Sequence, residues 1–217
     1  MHPDQKKILV SMEAIKYVNK GTVLGVGTGS TVNKFIELFD FSSYDLEGVV
    51  SSSEKTTKLL LQKNITVSKA ADFSSIDLYI DGADEATIHR HLIKGGGGAL
   101  TREKILAEMS KQFICIIDDS KLVDVLGKFP LPIEVIPMSI SLVAKKIISL
   151  GGQPVLRQNF KTDNGNLILD AFNLKIESPI LLENKINQIP GVVTVGLFAN
   201  RSADKLLVSD GLNLRLI

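Results

Sequence analysis

The segment Ile80–Ile105 constrains the fold more than any other part of the chain. It reads IDGADEATIHRHLIKGGGGALTREKI and places carboxylates and a lysine beside glycines. Asp81 and Asp84 follow the apolar run 76–80, which predicts that a buried strand ends there and a turn begins. Gly82 and Ala83, between the two acids, leave the backbone uncovered. Strand ends of this kind are where open α/β sheets bind ligands.

The second half of this segment supplies a cation and a third carboxylate. Lys94 opens a run of four glycines, Gly95 to Gly98, and Glu103 lies in the first turn of a helix predicted over Ala99–Met109. Acid, base and cation gathered beside glycine turns indicate proton transfer on a polar substrate.

The composition excludes several classes of protein. The chain has 217 residues, 44% of them apolar, and a net charge of +1, so its bulk charge implies neither nucleic acid nor membrane as a partner. Its single cysteine, Cys115, fits a reducing compartment, and its position within the apolar run 113–117 predicts a core thiol. The N-terminus lacks a signal-peptide pattern and no apolar run approaches a membrane span. We expect a soluble, cytoplasmic protein.

An earlier glycine-rich turn predicts an anion site. A strand over Thr22–Val26 is followed by the turn 25–31, GVGTGST, and by a helix over Val32–Phe39. Backbone N–H groups at a helix start favour a negatively charged ligand, and Ser30 and Thr31 add hydroxyl donors. A glycine-rich turn without a ligand is the alternative interpretation.

The same turn does not fit a nucleotide site. Ser30 occupies the place of the third glycine of the dinucleotide fingerprint, and serines 51–53 stand where an acid for a ribose is expected. No G-K-[S/T] ending is present, which excludes a nucleotide P-loop. A small phosphate is the better ligand.

Alternating strands and helices predict the fold class, α/β with a doubly wound, Rossmann-like parallel sheet. Its strands are expected over 22–26, 47–50, 65–67, 75–80 and 113–117, and Ser53 is expected to cap the helix Glu54–Lys63. The prolines near 130 mark a boundary, after which the order strand, helix, two strands, helix, strand predicts a ferredoxin-like subdomain whose hairpin turns at Thr162–Asn166. We expect a catalytic domain over residues 1–127 plus 198–217 and a smaller α+β subdomain over 128–197, with a substrate-covering or oligomerisation role.

Other candidates for chemistry are weaker. Lys7 lies in a helix predicted over Asp4–Val18, where a solvated face is the simpler interpretation, and Lys121 follows the strand 113–117 at the edge that carries the other loops. The histidines and the single cysteine form no zinc motif. Taken singly, the carboxylates have structural explanations such as helix capping, so only their joint placement favours catalysis.

With these residues laid out, the chain resembles the ribose-5-phosphate isomerase A family. The resemblance covers most of the chain in the family order, and its two departures are Gly98, where many members have alanine, and Asp119, where a small residue is expected. The matching stretches are GVGTGST (25–31), SSS (51–53), DGADE (81–85), KGGGGALTREKI (94–105), Ser120-Lys121, LGKFPLPIEVIPM (126–138), TDNGN (162–166) and IPGVVTVGLFANR (189–201).

The resemblance implies interconversion of D-ribose 5-phosphate and D-ribulose 5-phosphate in the pentose phosphate pathway, without metal or organic cofactor. It implies that Glu103 is the base, with a pKa raised by partial burial, and that Lys94 stabilises the enediolate oxygen. Asp81 and Asp84 bind sugar hydroxyls and help to open the ring, with their shares undecided. The implied substrate-binding residues are Thr28, Gly29, Ser30, Thr31, Gly82, Ala83, Gly95, Gly96, Gly97, Lys121 and Lys7.

Three other functions are weighed against this one. A sugar-phosphate sensor on a related fold would bind without turnover, but no DNA-binding helix-turn-helix is attached and the acid–base set is complete. A nucleotide-dependent oxidoreductase is disfavoured by the broken fingerprint. An acyl-CoA transferase-like domain would need a different setting for its catalytic glutamate. The family further implies a homodimer, with a tetramer as the alternative.

Overall fold

The computed structural model describes residues 3–217. Within this range no helix is long and apolar enough to cross a lipid bilayer. The helices are α1 (Pro3–Ile15), α2 (Ser30–Leu38), α3 (Glu54–Gln62), α4 (Leu100–Met109), α5 (Ile140–Ser149) and α6 (Pro179–Asn187). The strands are β1 (Val23–Val26), β2 (Gly48–Ser51), β3 (Ile76–Asp81), β4 (Glu85–Ala86), β5 (Leu92–Ile93), β6 (Ser110–Asp118), β7 (Leu131–Val135), β8 (Gln153–Leu156), β9 (Leu167–Phe172), β10 (Val192–Val195), β11 (Leu197–Phe198), β12 (Lys205–Ser209) and β13 (Leu214–Leu216).

The described chain forms two compact units. The first contains the chain up to Ala83, then Arg102–Leu122 and Ala203–Ile217, and the second contains Asp84–Thr101 and Val123–Ser202. These limits differ from the predicted domain boundaries (1–127 plus 198–217, and 128–197), chiefly because residues 84–101 pack with the second unit. The reason is strand pairing, since β4 and β5 form a small antiparallel sheet with β11.

The first unit is built on a six-stranded sheet in the order β13-β12-β6-β3-β1-β2. Its neighbours pair in parallel except β12 and β13, which confirms the predicted α/β doubly wound class. The strand predicted over Ile65–Val67 is wrong. Those two apolar side chains are partly buried against the core, but in place of a ladder the segment makes isolated bonds, such as Ser68 N–H to the Val49 carbonyl (2.8 Å).

Helix α2 shows why the first unit packs as it does. Val32, Phe35, Ile36 and Phe39 recur at helical spacing and are all buried, so one face of the helix is apolar. That face joins a core that includes Leu24 and the inward-facing residues of the other parallel strands. Cys115 lies fully buried within β6, as expected of a core thiol.

The second unit confirms the predicted ferredoxin-like order. Strands β7, β8, β9 and β10 form an antiparallel sheet in the order β10-β7-β9-β8, and helices α5 and α6 each connect two of its strands. Side chains of the sheet and of both helices share one apolar core, which includes Ile133, Val143, Leu169 and Ile186.

The turn predicted at Thr162–Asn166 lies between β8 and β9 and is fixed by a buried carboxylate. Glu134, fully buried on β7, accepts hydrogen bonds from the Thr162 hydroxyl (2.8 Å) and the Asn166 amide (2.8 Å). The Thr101 hydroxyl also donates to this carboxylate. Because a buried acid is costly without donors, Glu134 stabilises these surrounding segments.

Substitution Phe35→Ala tests the core of the first unit. The side chain is fully buried and its ring stacks on Phe39 (centroids 5.3 Å apart), so we expect a loss of about 3–5 kcal/mol in the free energy of unfolding. Leu38→Ala, on the same helix but 40% exposed, is the matched control and should cost far less. Urea unfolding measures both, and equal losses would contradict the assigned core.

Candidate active site

The first unit brings several predicted loops to one edge of its sheet. Because the strands are parallel, with Val26 paired to both Ser51 and Ile80, and Asp118 paired to Ser209, their carboxyl ends lie together. This edge therefore carries residues 27–31, 51–53, 82–83 and 119–121, and it is the place where sheets of this class bind ligands.

The turn Thr28–Thr31 forms the start of α2. Gly29 is the N-cap residue, with a φ of 118° that favours glycine, and no side chain caps the helix there. Gly29 and Ser30 are exposed, whereas Thr28 and Thr31 are half-buried. The start of α2 is therefore accessible, and helix starts of this kind suit an anion.

Asp81, the last residue of β3, is completely buried. Its Oδ1 accepts hydrogen bonds from the N–H groups of Thr28 (3.0 Å) and Gly82 (2.7 Å), and the Tyr79 hydroxyl donates to its Oδ2. Since these donors come from both β3 and the turn after β1, this carboxylate joins the two loops that were predicted to bind substrate.

Gly27 permits this arrangement. A Cβ built on its backbone would overlap the Asp81 carboxylate, so any other residue would displace the acid. Residues that follow β2 also hold this loop. The Thr56 hydroxyl donates to the Gly27 carbonyl (2.8 Å), and the Ser53 hydroxyl donates to Thr28 Oγ1 (3.2 Å). Ser53 caps α3 as predicted, accepting from the Thr56 N–H.

Glu103 lies close to the same group. It is in the first turn of α4 with only 3% of its surface exposed. Burial raises the pKa of Tyr79 well above its usual range, and the negative charges of Asp81 and then Glu103 raise it further. The first unit thus gathers two carboxylates around one buried phenol.

Asp84 and Lys94 belong to the second unit, which the chain enters between Ala83 and Asp84. Asp84 is half-buried, and its Oδ2 accepts the Gly96 N–H (2.7 Å). A Cβ on Gly96 would come within 2.6 Å of Asp84 Oδ1, so this glycine also permits a close approach to an acid. Gly95 is buried, whereas Gly96 is half-buried and Gly97 is exposed.

Lys94 is buried to 98% and its ammonium lies over the ring of Phe198, 5.6 Å from the centroid. Its backbone N–H donates to the Gly196 carbonyl (2.9 Å), which continues the pairing of β5 with β11. The ring provides a favourable surface for the cation. The sequence alone gave no sign of the role of Phe198.

The other lysines predicted to bind substrate are Lys7 and Lys121, and Asp119 stands two residues before Lys121. Asp119, at the position where the resemblance predicts a small residue, forms an ion pair with Lys6 of α1. This hydrogen bond raises the pKa of Lys6. Lys121 ends a short 3-10 helix after β6, and Lys121 and Lys7 are both half-buried. The charge that Asp119 adds therefore has a cation of its own.

Some functional residues were missed from the sequence. Tyr79 was treated only as part of an apolar strand, although residues two apart on a strand share a face and Tyr79 therefore points with Asp81. Neither Asp84 nor Glu85 caps a helix, since Glu85 lies in β4 and accepts the N–H groups of Gly127 (2.8 Å) and Phe129 (2.6 Å).

Over residues 3–217, no three His, Cys, Asp or Glu side chains are clustered as metal ligands would be.

The chain is similar to known isomerases over its whole length. Residues 48–211 match the sequence model of the family described as ribose 5-phosphate isomerase A (phosphoriboisomerase A). A curated ribose-5-phosphate isomerase A from Buchnera aphidicola subsp. Acyrthosiphon pisum (strain Tuc7) is 52% identical over 217 residues, which is 100% of this chain and 97% of that protein.

Solved structures agree with this similarity. Ribose 5-phosphate isomerase A from Neisseria gonorrhoeae has a TM-score of 0.96 and 41% identity, covering 100% of this chain and 97% of its own. The enzyme from Methanocaldococcus jannaschii has a TM-score of 0.93 and 36% identity, covering 100% and 99%. A D-ribose-5-phosphate isomerase in complex with phospho-erythronic acid has a TM-score of 0.96 and 34% identity, again covering 100% and 99%.

The raised pKa of Tyr79 predicts alkaline sensitivity. A group whose pKa is higher in the folded than in the unfolded chain stabilises the fold below its unfolded pKa, near 10.0, and that contribution is lost as pH rises further. We expect the free energy of unfolding to fall more steeply above pH 10 in the wild type than in Tyr79→Phe. Urea unfolding across this range measures the slopes, and parallel slopes would contradict the assignment.

Proposed function

The chain belongs to the ribose 5-phosphate isomerase A family, and from that membership we propose which residues carry out its reaction. The protein is an aldose–ketose isomerase that interconverts D-ribose 5-phosphate and D-ribulose 5-phosphate, a step of the pentose phosphate pathway. The reaction moves a proton between C2 and C1 through an enediolate, so it requires a base, a group that stabilises the enediolate oxygen, and an anchor for the phosphate.

Glu103 is the proposed base, and its burial is the observation that carries the proposal. A carboxylate held at 3% exposure beside a second acid and a phenol is costly to maintain, and such groups concentrate where chemistry is performed. Its place in the first turn of α4, a regular helix, gives it a defined position. A positioned base contributes about 10²–10⁴-fold to the rate.

Lys94 is the proposed electrostatic partner of the enediolate oxygen. Its ammonium is nearly excluded from water, where a charge interacts more strongly than at the surface. The backbone that follows, Gly95–Gly97, becomes progressively more exposed and presents main-chain groups to the sugar hydroxyls. Gly82 and Ala83, both half-buried after β3, serve the same purpose.

The two aspartates are proposed to divide their work. Asp84 is half-buried with one backbone donor, so it is the better placed to exchange a proton with the sugar during ring opening. Asp81 is completely buried, and both its oxygens accept hydrogen bonds within the first unit. Its main contribution is therefore to hold the turns at Thr28 and Gly82 in their binding conformation.

The phosphate is proposed to bind at the Thr28–Thr31 turn. The uncapped start of α2 supplies N–H donors, and Ser30 and Thr31 supply hydroxyls. Lys121 and Lys7 neutralise its charge. Since the phosphate is remote from the reacting carbons, this binding energy serves to position C1 and C2.

A relative that shares 34% identity supports this substrate, because it was solved with phospho-erythronic acid. A phosphorylated sugar acid carries a planar carboxylate that imitates the planar, negatively charged enediolate. Transition-state and intermediate analogues bind sites that stabilise such charge. We expect phospho-erythronic acid to be a competitive inhibitor of this protein as well.

The proposed setting is a homodimer in the cytoplasm. The sequence has one cysteine, the buried Cys115, so it forms no disulfide within the chain, which suits a reducing compartment. Sedimentation equilibrium distinguishes a dimer from a monomer or a tetramer.

Substitution Glu103→Gln tests the base. It keeps the shape of the side chain and removes its basicity, so kcat for ribulose 5-phosphate formation should fall by about 10²–10⁴-fold with little change in KM. Glu108→Gln, on the exposed face of the same helix, is the matched control and should retain activity. Assays in EDTA show in addition whether a metal is needed.

Wild-type activity in Glu103→Gln would remove Glu103 from the base role. If the wild-type protein bound the sugar phosphate saturably without turning it over, a sensor would replace the isomerase.

Substitution Thr31→Ala tests the phosphate anchor. Loss of one hydroxyl donor should raise KM for ribose 5-phosphate about 10- to 100-fold, since a hydrogen bond to a charged group is worth about 1.5–3 kcal/mol, and should change kcat less. Thr66→Ala, at an exposed threonine of the same unit, controls for the loss of a hydroxyl elsewhere. Steady-state kinetics decides, and an effect confined to kcat would count against the anchor.

A further inference from the structure

Arg157, just after β8, holds the glycine-rich loop from the side opposite Asp84. Its guanidinium pairs with Asp170 of β9 through two bonds, Nε to Oδ2 (2.8 Å) and Nη2 to Oδ1 (2.6 Å). The remaining donors point at the loop, with Nη1 3.1 Å from the Gly96 carbonyl oxygen and both Nη atoms 3.4 Å from that of Gly95. One side chain thus binds a half-buried acid and two consecutive carbonyl groups.

Phe160 supports the same loop. The Arg157 guanidinium lies 5.2 Å from the centroid of its ring. Gly98, at the end of the loop, has a φ of +81°, and a Cβ on it would overlap the Phe160 ring. The space that an alanine methyl group would need is therefore filled by Phe160, so the glycine and the aromatic ring form a matched pair.

This arrangement determines the direction of the Gly96 peptide groups. The Gly96 carbonyl accepts from Arg157, while the Gly96 N–H donates to Asp84 Oδ2 (2.7 Å). Arg157 is itself fixed by the sheet, because its backbone N–H donates to the Ile168 carbonyl (2.9 Å). A continuous series of hydrogen bonds therefore runs from Asp170 through Arg157 and Gly96 to Asp84.

We propose that Arg157, held by Asp170, is a positioning residue that orients Asp84 through the glycine-rich loop. It acts through other groups and touches no reacting atom itself. The inference rests on the proposed role of Asp84 in the isomerisation. The sequence predicted that the ferredoxin-like unit covers the substrate or forms an oligomer. The proposed role of Arg157 would add a contribution of this unit to catalysis.

The chemistry of the position requires arginine. The planar guanidinium presents several donors at fixed angles and can serve the carboxylate and both carbonyls at once. A lysine keeps the positive charge beside Asp170, whose side chain is only 15% exposed, but provides a single nitrogen. Arg157→Lys therefore removes the hold on the loop while leaving Asp170 with a cation.

The first measurement is steady-state isomerisation by Arg157→Lys. We expect kcat to fall about 10–100-fold, because misplacement of a catalytic group by about 1 Å costs up to about 10²-fold. KM should change less than kcat, since the phosphate anchor lies on other segments. Lys175→Ala, which breaks the exposed ion pair of the same unit with Glu177, is the matched control and should retain wild-type rates.

A double-mutant cycle separates positioning from general damage. Asp84→Asn alone should lower kcat, and Arg157→Lys should then cost almost nothing further in the Asp84→Asn protein. Equal losses from Arg157→Lys in both backgrounds would show that it acts independently of Asp84 and overturn the inference, as would wild-type kcat in Arg157→Lys.

The cycle distinguishes failure of the proposed Asp84 role from failure of the Arg157 role. Wild-type activity in Asp84→Asn would refute the proposed role of Asp84, and with it the positioning role of Arg157, whereas a loss in Asp84→Asn without coupling refutes the positioning role alone. Urea unfolding confirms that each variant is folded. If Arg157→Lys does not fold, Asp170→Asn replaces it in the same cycle, because it weakens the hold on Arg157 while keeping a hydrogen-bond acceptor.

Discussion

The arrangement of loops in the first unit depends on the hydrogen bonds of one buried carboxylate, Asp81. Asp81 is completely buried, so each hydrogen bond it lacks would cost free energy that solvent does not return. Its donors include the Tyr79 hydroxyl and two backbone N–H groups from separate turns. Satisfying one acid therefore fixes the conformation of both turns, so the proposed ligand site at this sheet edge is formed by the protein's own hydrogen bonds. Such preorganisation is what electrostatic catalysis requires.

The second unit follows the same rule with different partners. Asp84 accepts the Gly96 N–H, and Glu183 accepts those of Ala199 and Asn200, so acids are again met by main-chain donors. This explains the glycines beside the two aspartates, since a Cβ on Gly27 would collide with Asp81 and one on Gly96 with Asp84. The glycine-rich turns are thus required by the acids as much as by the substrate.

The sequence predicted the sheet classes and most element positions because hydrophobic periodicity and turn residues are local signals. It could also place Asp81 at a strand end and Glu103 in a first helical turn, since both depend on the neighbouring residues. It missed Arg157 and Phe198, whose roles depend on which distant segment they meet after folding. The strand expected at Ile65–Val67 failed because apolar residues favour burial but do not by themselves form a ladder: beside the edge strand β2, the bond from Ser68 N–H to the Val49 carbonyl is not extended into regular strand pairing.

The order of the chain also has a consequence for biosynthesis. Strand β12 pairs in parallel with β6, yet the entire run Val123–Ser202 of the second unit lies between them in the sequence. During translation, the edge of β6 that pairs with β12 therefore stays unpaired while some eighty residues of the second unit are made and begin to fold. An open strand edge of this kind is a site for unwanted pairing. The species in which this edge can pair wrongly is therefore the nascent chain, before β12 has been made.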